Sequence, residues 1–160
     1  MKLKFVFFAF SIFVIKLLSS CYSPAKLIGT NEPIRGKDVA QKITPPDGKA
    51  LIYIVRRPAY FASLAEFAVS MDRQMIGHTQ AQRFLYTFSE PGTRTFIGHA
   101  ENKSSLSLEV EAGKTYYIEQ KIRPGIVYPR NKLKVLDEKK GIKKLNQCKL
   151  ARDNITLEGI

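Results

Sequence analysis

The sequence predicts a mainly β protein: a small antiparallel β-sandwich of six to eight strands, with a short amphipathic helix near the C-terminus. Two observations carry this prediction. From Ala50 to Leu136 apolar residues recur with a period of two, which is typical of strands with one buried face. Turn sequences such as Glu90-Pro91-Gly92 separate these runs at short intervals. After Asp137 the period changes, which predicts the helix.

Each strand is predicted from a short apolar run. Ala50 to Val55 is almost wholly apolar, which predicts a central strand covered on both sides. The later runs alternate. The residues that mark them are, in chain order, Phe67, Val69 and Met71; Met75 and Ile76; Phe84, Tyr86 and Phe88; Phe96 and Ile97; Leu106, Leu108 and Val110; Tyr116, Ile118 and Ile122; and Leu133 and Val135. Ile142, Leu145 and Cys148 mark the apolar side of the helix.

The chain is predicted to consist of four segments. Residues 1–20 form a signal peptide, residues 21–48 a lipidated cysteine and flexible tether, residues 49–150 the β-sandwich domain, and residues 151–160 a frayed tail. The tether is predicted because its prolines and glycines accompany no sustained apolar period. The alternative is that Leu27, Ile28 and Ile34 pack on the domain.

The N-terminus has the layout of an export signal. Lys2 and Lys4 give it a positive start, and the apolar run from Phe5 to Ile15 follows. This run is shorter than the roughly 20 apolar residues that a spanning helix needs, which favours a cleaved signal over a transmembrane anchor.

The end of this signal, Leu18-Ser19-Ser20-Cys21, resembles the bacterial lipobox. That motif is a branched apolar residue, two small residues and the cysteine that is acylated. The resemblance implies a lipid-anchored envelope protein with Cys21 as the lipidated residue. Tyr22 replaces the aspartate that retains enteric lipoproteins in the inner membrane, which favours the outer membrane. The alternative is an ordinary secretory signal with a chance cysteine at its end.

Positive charge is concentrated at the C-terminal end of the chain. The formal net charge of the whole chain is +12, and residues 121–160 contain 11 basic and 4 acidic side chains. A basic surface can attract an anionic lipid, a cell-wall polymer or an acidic protein. Nucleic acid is a poor candidate because export separates the protein from it. The alternative is a solvated face without a ligand. The predicted binding residues are Arg130, Lys132, Lys134, Lys139, Lys140, Lys143 and Lys144.

The sequence predicts no catalytic residue, no metal site and no cofactor. His78 and His99 are the only histidines, and no acidic or thiol cluster with ligand spacing accompanies them. No Gly-x-Ser-x-Gly elbow or phosphate-binding glycine loop occurs. Two further alternatives remain. One is a subunit of an envelope assembly that pairs through sheet edges, where Cys148 is either buried or forms an intermolecular bond. The other is an unrecognised hydrolase.

Four motifs occur in an order known from other proteins: Ala50 to Arg57, the hairpin Val69 to Gly77, the turn Glu90 to Gly92, and Leu106 through Tyr117. This order resembles a bacterial domain family of unknown function that is common in lipoproteins. It is also similar to the PEGA-type repeat and to small transthyretin-like sandwiches. The resemblance covers residues 48–136 and the lysine-rich helix that follows. It implies a sandwich fold and an envelope location, and it brings no known activity.

Overall fold

A computed structural model describes residues 34–39 and 42–151. The predicted signal peptide, the lipobox residues Leu18, Ser19 and Ser20, and Cys21 lie outside the described residues. The predicted tail also lies outside them from residue 152 onwards. Among the helices described, none is both long enough and apolar enough to cross a bilayer.

Strands make up most of the described chain. They are β1 (Ala50–Arg56), β2 (Phe67–Met71), β3 (Gln74–Thr79), β4 (Arg83–Ser89), β5 (Gly92–His99), β6 (Lys103–Val110), β7 (Thr115–Arg123), β8 (Arg130–Leu136) and β9 (Lys149–Leu150). The helical segments are α1 (Gly36–Val39), a 3-10 helix (Tyr60–Ala62) and α2 (Glu138–Leu145). The prediction of a mainly β protein with a short helix near the C-terminus is confirmed. The described residues contain nine strands, of which β9 has only two residues.

The strands form two sheets. The five-stranded sheet has the order β8-β7-β1-β4-β9, and the four-stranded sheet has the order β3-β2-β5-β6. Most neighbours are antiparallel, as predicted, but β1–β7 and β4–β9 are parallel. β1 and β7 are parallel neighbours although all four strands of the second sheet lie between them in the sequence.

β1 is the centre of the five-stranded sheet, and every one of its residues is buried. Its partners are β4 on one side and β7 on the other. Ile52 and Ile54 face the second sheet, whereas Leu51 and Tyr53 face the opposite way, towards the helices. The prediction of a strand covered on both sides is confirmed, and the apolar run from Ala50 to Val55 follows from having two buried faces.

Buried apolar residues of the described chain form two large cores and one small cluster, which contains Ala62, Phe67 and Ile122. The first lies between the sheets and contains Ile52, Ile54, Val69, Ile76, Leu85, Phe96, Ile118 and Leu133. The second lies between the five-stranded sheet and the helices and contains Val39, Leu51, Tyr53, Val55, Phe84, Tyr117, Leu136, Leu145 and Cys148. Tyr116 and Tyr117 belong to different cores, as their adjacent strand positions predict.

α2 is preceded by Asp137, whose side chain accepts a hydrogen bond of 2.9 Å from the Lys140 amide. This is an N-terminal cap, which satisfies one of the amides left free at a helix start. Leu145 and Gly141 are buried against the sheet. Cys148 is also buried but follows the helix, since α2 ends at Leu145 and Asn146 is its C-cap.

Part of the segment predicted as a flexible tether is packed on the domain, so that prediction is wrong for Ile34 to Val39. The Gly36 amide donates to the Cys148 carbonyl at 2.8 Å, and the Leu150 amide donates to the Ile34 carbonyl at 2.8 Å. Val39 is buried in the second core. A sequence period could not reveal this because only a few side chains make the contact. Residues 22–33 of the predicted tether lie outside the described residues.

The hairpin between β2 and β3 turns on two residues. Asp72 and Arg73 have φ values of 48° and 71°, as a two-residue hairpin turn with both central residues left-handed requires. Aspartate tolerates this conformation, and here its Oδ1 also accepts a hydrogen bond of 2.8 Å from the Thr95 amide. The turn is therefore Asp72-Arg73, and Gln74 is already part of β3.

Candidate functional site

The predicted basic residues of β8 lie on the outer face of the five-stranded sheet. Inward-facing Asn131 and Leu133 are buried, whereas Arg130, Lys132 and Lys134 are exposed on the opposite face. Leu136 is the next residue on this face of β8, and it is buried in the core beneath α2. The three cations and α2 therefore occupy the same side of the sheet.

β7 places further cations beside them. Lys121 lies directly opposite Lys132, and Arg123 lies directly opposite Arg130. Directly opposed residues on one face approach to about 5 Å at Cβ, so like charges there repel and destabilise the pair. Within the described residues, Lys121, Arg123 and Lys132 have no ion pair with an acid.

α2 is joined to this face by an ion pair. Lys144 Nζ lies 2.6 Å from Glu119 Oε2 of β7, and the Glu119 side chain is only 9% exposed. Lys134 lies opposite Glu119 on β8. Lys144 thus connects the helix to the row of cations on the sheet.

The remaining lysines of α2 differ in their surroundings. Lys140 Nζ lies 2.7 Å from Asp137 Oδ2, and the pKa of Asp137 is lowered by hydrogen bonds from the Lys140 side chain and amide. The same side-chain hydrogen bond raises the pKa of Lys140. Lys139 and Lys143 are exposed, and no acid within the described chain pairs with either of them.

A shallow depression beside α2 gathers several of these cations. It has a volume of about 370 Å³ and is lined by Arg57, Lys140, Lys143, Lys144 and Gln147, with no acidic side chain in the lining. Arg57 also lines a neighbouring depression of about 210 Å³ whose wall includes Lys121. Arg57 therefore lies between the lysines of α2 and Lys121 of β7.

We define the basic face by the outward cations of β7, β8 and α2 together with Arg57. Its members are Arg57, Lys121, Arg123, Arg130, Lys132, Lys134, Lys139, Lys140, Lys143 and Lys144. Their acidic neighbours on these elements are Glu119, Asp137 and Glu138. Seven of the ten members are predicted from the sequence.

Arg57, Lys121 and Arg123 were missed by the sequence prediction. A signal existed for the two β7 residues, because the inward positions Ile118 and Ile122 place Lys121 and Arg123 on the outer face. No local pattern could have indicated Arg57, since its position depends on how the chain leaves β1 and where α2 packs.

Cys148 and His99, which the sequence offered as candidate functional residues, contact other groups of the fold. Cys148 is 3% exposed, its Sγ lies 3.8 Å from the Arg56 carbonyl oxygen, and burial raises its pKa to about 11. His99 Nε2 lies 3.0 Å from Ser70 Oγ. In the described parts of the chain, no group of three or more His, Cys, Asp or Glu side chains is arranged to hold a metal ion.

A further depression, with a volume of about 220 Å³, lies at the end of the sandwich opposite Arg57. Its carboxylates are both in ion pairs: Glu90 with Lys49 at 3.5 Å, and Asp72 with Arg94 at 3.1 Å. Asp72 also accepts the Thr95 amide. These contacts fix the hairpin ends.

Residues 46–130 match the family described as Protein of unknown function (DUF2846). The match covers more than half of the chain, which therefore belongs to this family. It includes both sheets up to the start of β8 and ends before α2. No curated protein and no solved structure matches the chain significantly.

Proposed function

We propose that this protein is a lipid-anchored module of the bacterial envelope that binds an anionic envelope component through the basic face and has no enzymatic activity. The observation that carries the proposal is the pair of like-charged contacts Lys121–Lys132 and Arg123–Arg130. Opposed cations on neighbouring strands cost stability, and a bound anion would remove that cost.

The surroundings of these pairs support an anionic ligand. The depression beside α2 adds Arg57, Lys140, Lys143 and Lys144 to the same side of the sheet. Arginine suits this role because its planar guanidinium can bind a phosphate or carboxylate through two parallel hydrogen bonds. A field made by many exposed cations acts over about 8–10 Å at physiological salt, so binding should weaken as salt increases.

The anchor is proposed from Leu18-Ser19-Ser20-Cys21 alone. In this proposal Cys21 carries the diacylglyceryl thioether and the palmitate, and Tyr22 favours delivery to the outer membrane. A mature chain that begins at Cys21 would face the periplasm. We also propose a kinship with PEGA-type and transthyretin-like modules, which the two-sheet architecture and the order of turns support.

The first test is co-sedimentation of residues 22–160, which include every described residue and both cores. The protein would be mixed with neutral vesicles, with vesicles containing anionic lipid, and with purified cell wall, at low and high salt. We expect salt-sensitive binding to at least one anionic preparation. The variant Lys121→Glu/Lys132→Glu should lose most of that binding.

A control charge reversal at a single site is Lys103→Glu. Lys103 is an exposed lysine on β6, on the outer face of the other sheet, so its reversal changes the net charge without changing the basic face. The proposal would be refuted if wild type bound none of the anionic preparations, or if both variants bound as well as wild type.

The alternative of an assembly linked through Cys148 is not favoured by the structure, because reaching this thiol requires the segment after α2 to open. Sheet-edge pairing is partly obstructed as well. β6 and β8 approach each other at the edges of their sheets, where Ser104 Oγ accepts the Leu133 amide at 2.9 Å.

A further inference from the structure

Two loops at one end of the sandwich expose large apolar side chains. The loop between β1 and β2 contains Tyr60 and Leu64, which are 99% and 95% exposed. The loop between β7 and β8 contains Ile126 and Val127, each 92% exposed. Because β1 and β7 are parallel neighbours, both loops leave the sheet at the same end.

A ring contact ties the two loops together. The ring of Tyr128 lies 5.8 Å from that of Phe67, the first residue of β2. We define the apolar tip as Tyr60, Phe61, Leu64, Ile126, Val127 and Tyr128, of which Phe61 and Tyr128 are about half exposed. Single exposed apolar side chains are normal on a soluble protein, but six on two adjoining loops indicate an interaction site.

The first loop is held by a buried arginine. Arg56 is fully buried and donates to the carbonyl oxygens of Ala62 at 2.5 Å and Ala65 at 2.6 Å. Its guanidinium carbon lies 4.7 Å from the centre of the Phe67 ring. Tyr60 and Leu64 are thus displayed by a loop whose backbone is tied to the end of β1.

The second loop is held by a carboxylate. Glu101 Oε2 accepts the amides of Tyr128 at 2.8 Å and Val127 at 3.1 Å, and these hydrogen bonds lower the pKa of Glu101. Gly125 allows the turn, because a Cβ there would lie 1.9 Å from the Tyr128 carbonyl oxygen. In both loops, therefore, the exposed apolar side chains project from a backbone that hydrogen bonds hold in place.

The tip adjoins the basic face. Arg57 begins the first loop, Arg123 precedes the second, and Arg130 follows it. Acids at this end are engaged: Glu101 holds the second loop, Glu66 bonds to Gln80, and Glu119 pairs with Lys144. Protruding aliphatic and tyrosine side chains flanked by cations match the interface of an anionic bilayer, where apolar groups enter the acyl boundary and cations meet phosphates.

We propose that the apolar tip inserts into the interfacial region of an anionic lipid bilayer, with the adjoining cations of the basic face on the lipid phosphates. This rests on the proposed function in one respect, since it takes lipid phosphate as the anion that the basic face binds. The core of an interface with another protein is depleted of charged residues, whereas here cations directly flank both apolar loops.

The chain contains no tryptophan, so a single introduced tryptophan reports its own position. The full chain would be reconstituted into vesicles with and without anionic lipid, as the variants Leu64→Trp, Val127→Trp and, as a control, Ala112→Trp. Ala112 lies in the exposed turn between β6 and β7, at the opposite end of the sandwich. Brominated lipids would then be used as quenchers.

We expect the Leu64→Trp and Val127→Trp emissions to shift to shorter wavelength in anionic vesicles and to be quenched by brominated lipid, while Ala112→Trp is unchanged. Adding Ile126→Ser/Val127→Ser to Leu64→Trp should reduce its quenching. These serines replace exposed side chains, so they leave both cores intact. Tip reporters that behave like Ala112→Trp would overturn the proposal.

The same reporters in the Lys121→Glu/Lys132→Glu background separate the two proposals. Without the charge reversal, tip reporters that stay unquenched while the basic face binds cell wall or vesicles would overturn insertion and leave the proposed function standing. Tip reporters that are quenched equally with and without the charge reversal would support insertion. They would also count against the basic face as the anion-binding site.

Discussion

Gly141 of α2 packs directly on the ring of Tyr117 in β7. A Cβ built on Gly141 would lie 2.2 Å from Tyr117 Cγ, far closer than two carbon atoms can approach. The glycine therefore lets the helix approach the sheet closely, although glycine is a poor helix former. This contact sets the height of the α2 lysines above the outer face of the sheet.

Gly141→Ala should destabilise the protein. Alanine would favour the helix by about 1 kcal/mol in isolation, but overpacking against a buried ring typically costs about 1–3 kcal/mol. We expect a net loss, measured as a lower urea midpoint with an unchanged m-value. Lys139→Ala, at an exposed helix position, is the control and should be neutral or slightly stabilising. A more stable Gly141→Ala protein would show that α2 can move away from Tyr117.

Lys132→Glu should stabilise the protein in the absence of a ligand. The substitution turns the repulsion with Lys121 into an attraction, for which cross-strand pairs show about 0.2–1 kcal/mol. Thermal unfolding at low salt should reveal the gain, and high salt should reduce it. If Lys132→Glu also binds anions more weakly, then Lys132 favours anion binding while it lowers the stability of the free protein. Equal melting temperatures at low salt would contradict it.

Arg56→Met should destabilise the protein strongly. The Arg56 guanidinium donates to the carbonyls of Ala62, Ala65 and Thr79, and an unsatisfied buried acceptor costs about 1–3 kcal/mol. Relief from burying a charge offsets part of this, since burial lowers the pKa of Arg56 to about 10. We expect a net loss of about 2–4 kcal/mol in urea unfolding.

The neighbouring residue provides the control for this substitution. Arg57 is exposed, so Arg57→Met should change stability by less than about 0.5 kcal/mol. Similar losses for both variants would indicate that the arginines contribute through net charge rather than through the carbonyls that Arg56 binds.

Cys148 should make stability fall at alkaline pH. Burial raises its pKa from 9.0 to about 11, so the folded protein keeps this proton where the unfolded chain releases it. Stability is therefore fully present below pH 9 and is lost as the pH rises through about 11. The pKa difference corresponds to about 2–3 kcal/mol.

The variant Cys148→Ala isolates this contribution. Tyr53 and Tyr117 also have raised pKa values because of burial, and the lowered pKa of Arg56 acts in the opposite direction, but all three remain in the variant. We expect the stability of Cys148→Ala to fall less steeply between pH 9 and 11 than that of wild type. Parallel pH profiles would show that the thiol is open to solvent.

Local patterns predicted much of the fold and part of the basic face. The period of two placed Arg130, Lys132 and Lys134 on one side of β8, and the uniform apolar run identified β1 as central. The parallel pairing of β1 with β7 was not predictable in this way, because it joins segments separated by the whole second sheet. The positions of Arg57 and the apolar tip depend on that pairing, and so they became visible only in the structure.

The hydrogen bonds between Ile34–Gly36 and Cys148–Leu150 have a mechanical consequence. A pull on the chain before Ile34 reaches these backbone contacts first, because they join the N-terminal segment to β9 and through it to β4. The pulling force reaches the two sheets only after these hydrogen bonds break. Since Cys148 to Leu150 follow strands β1 to β8 in the chain, these hydrogen bonds form only after the strands that they protect have been made.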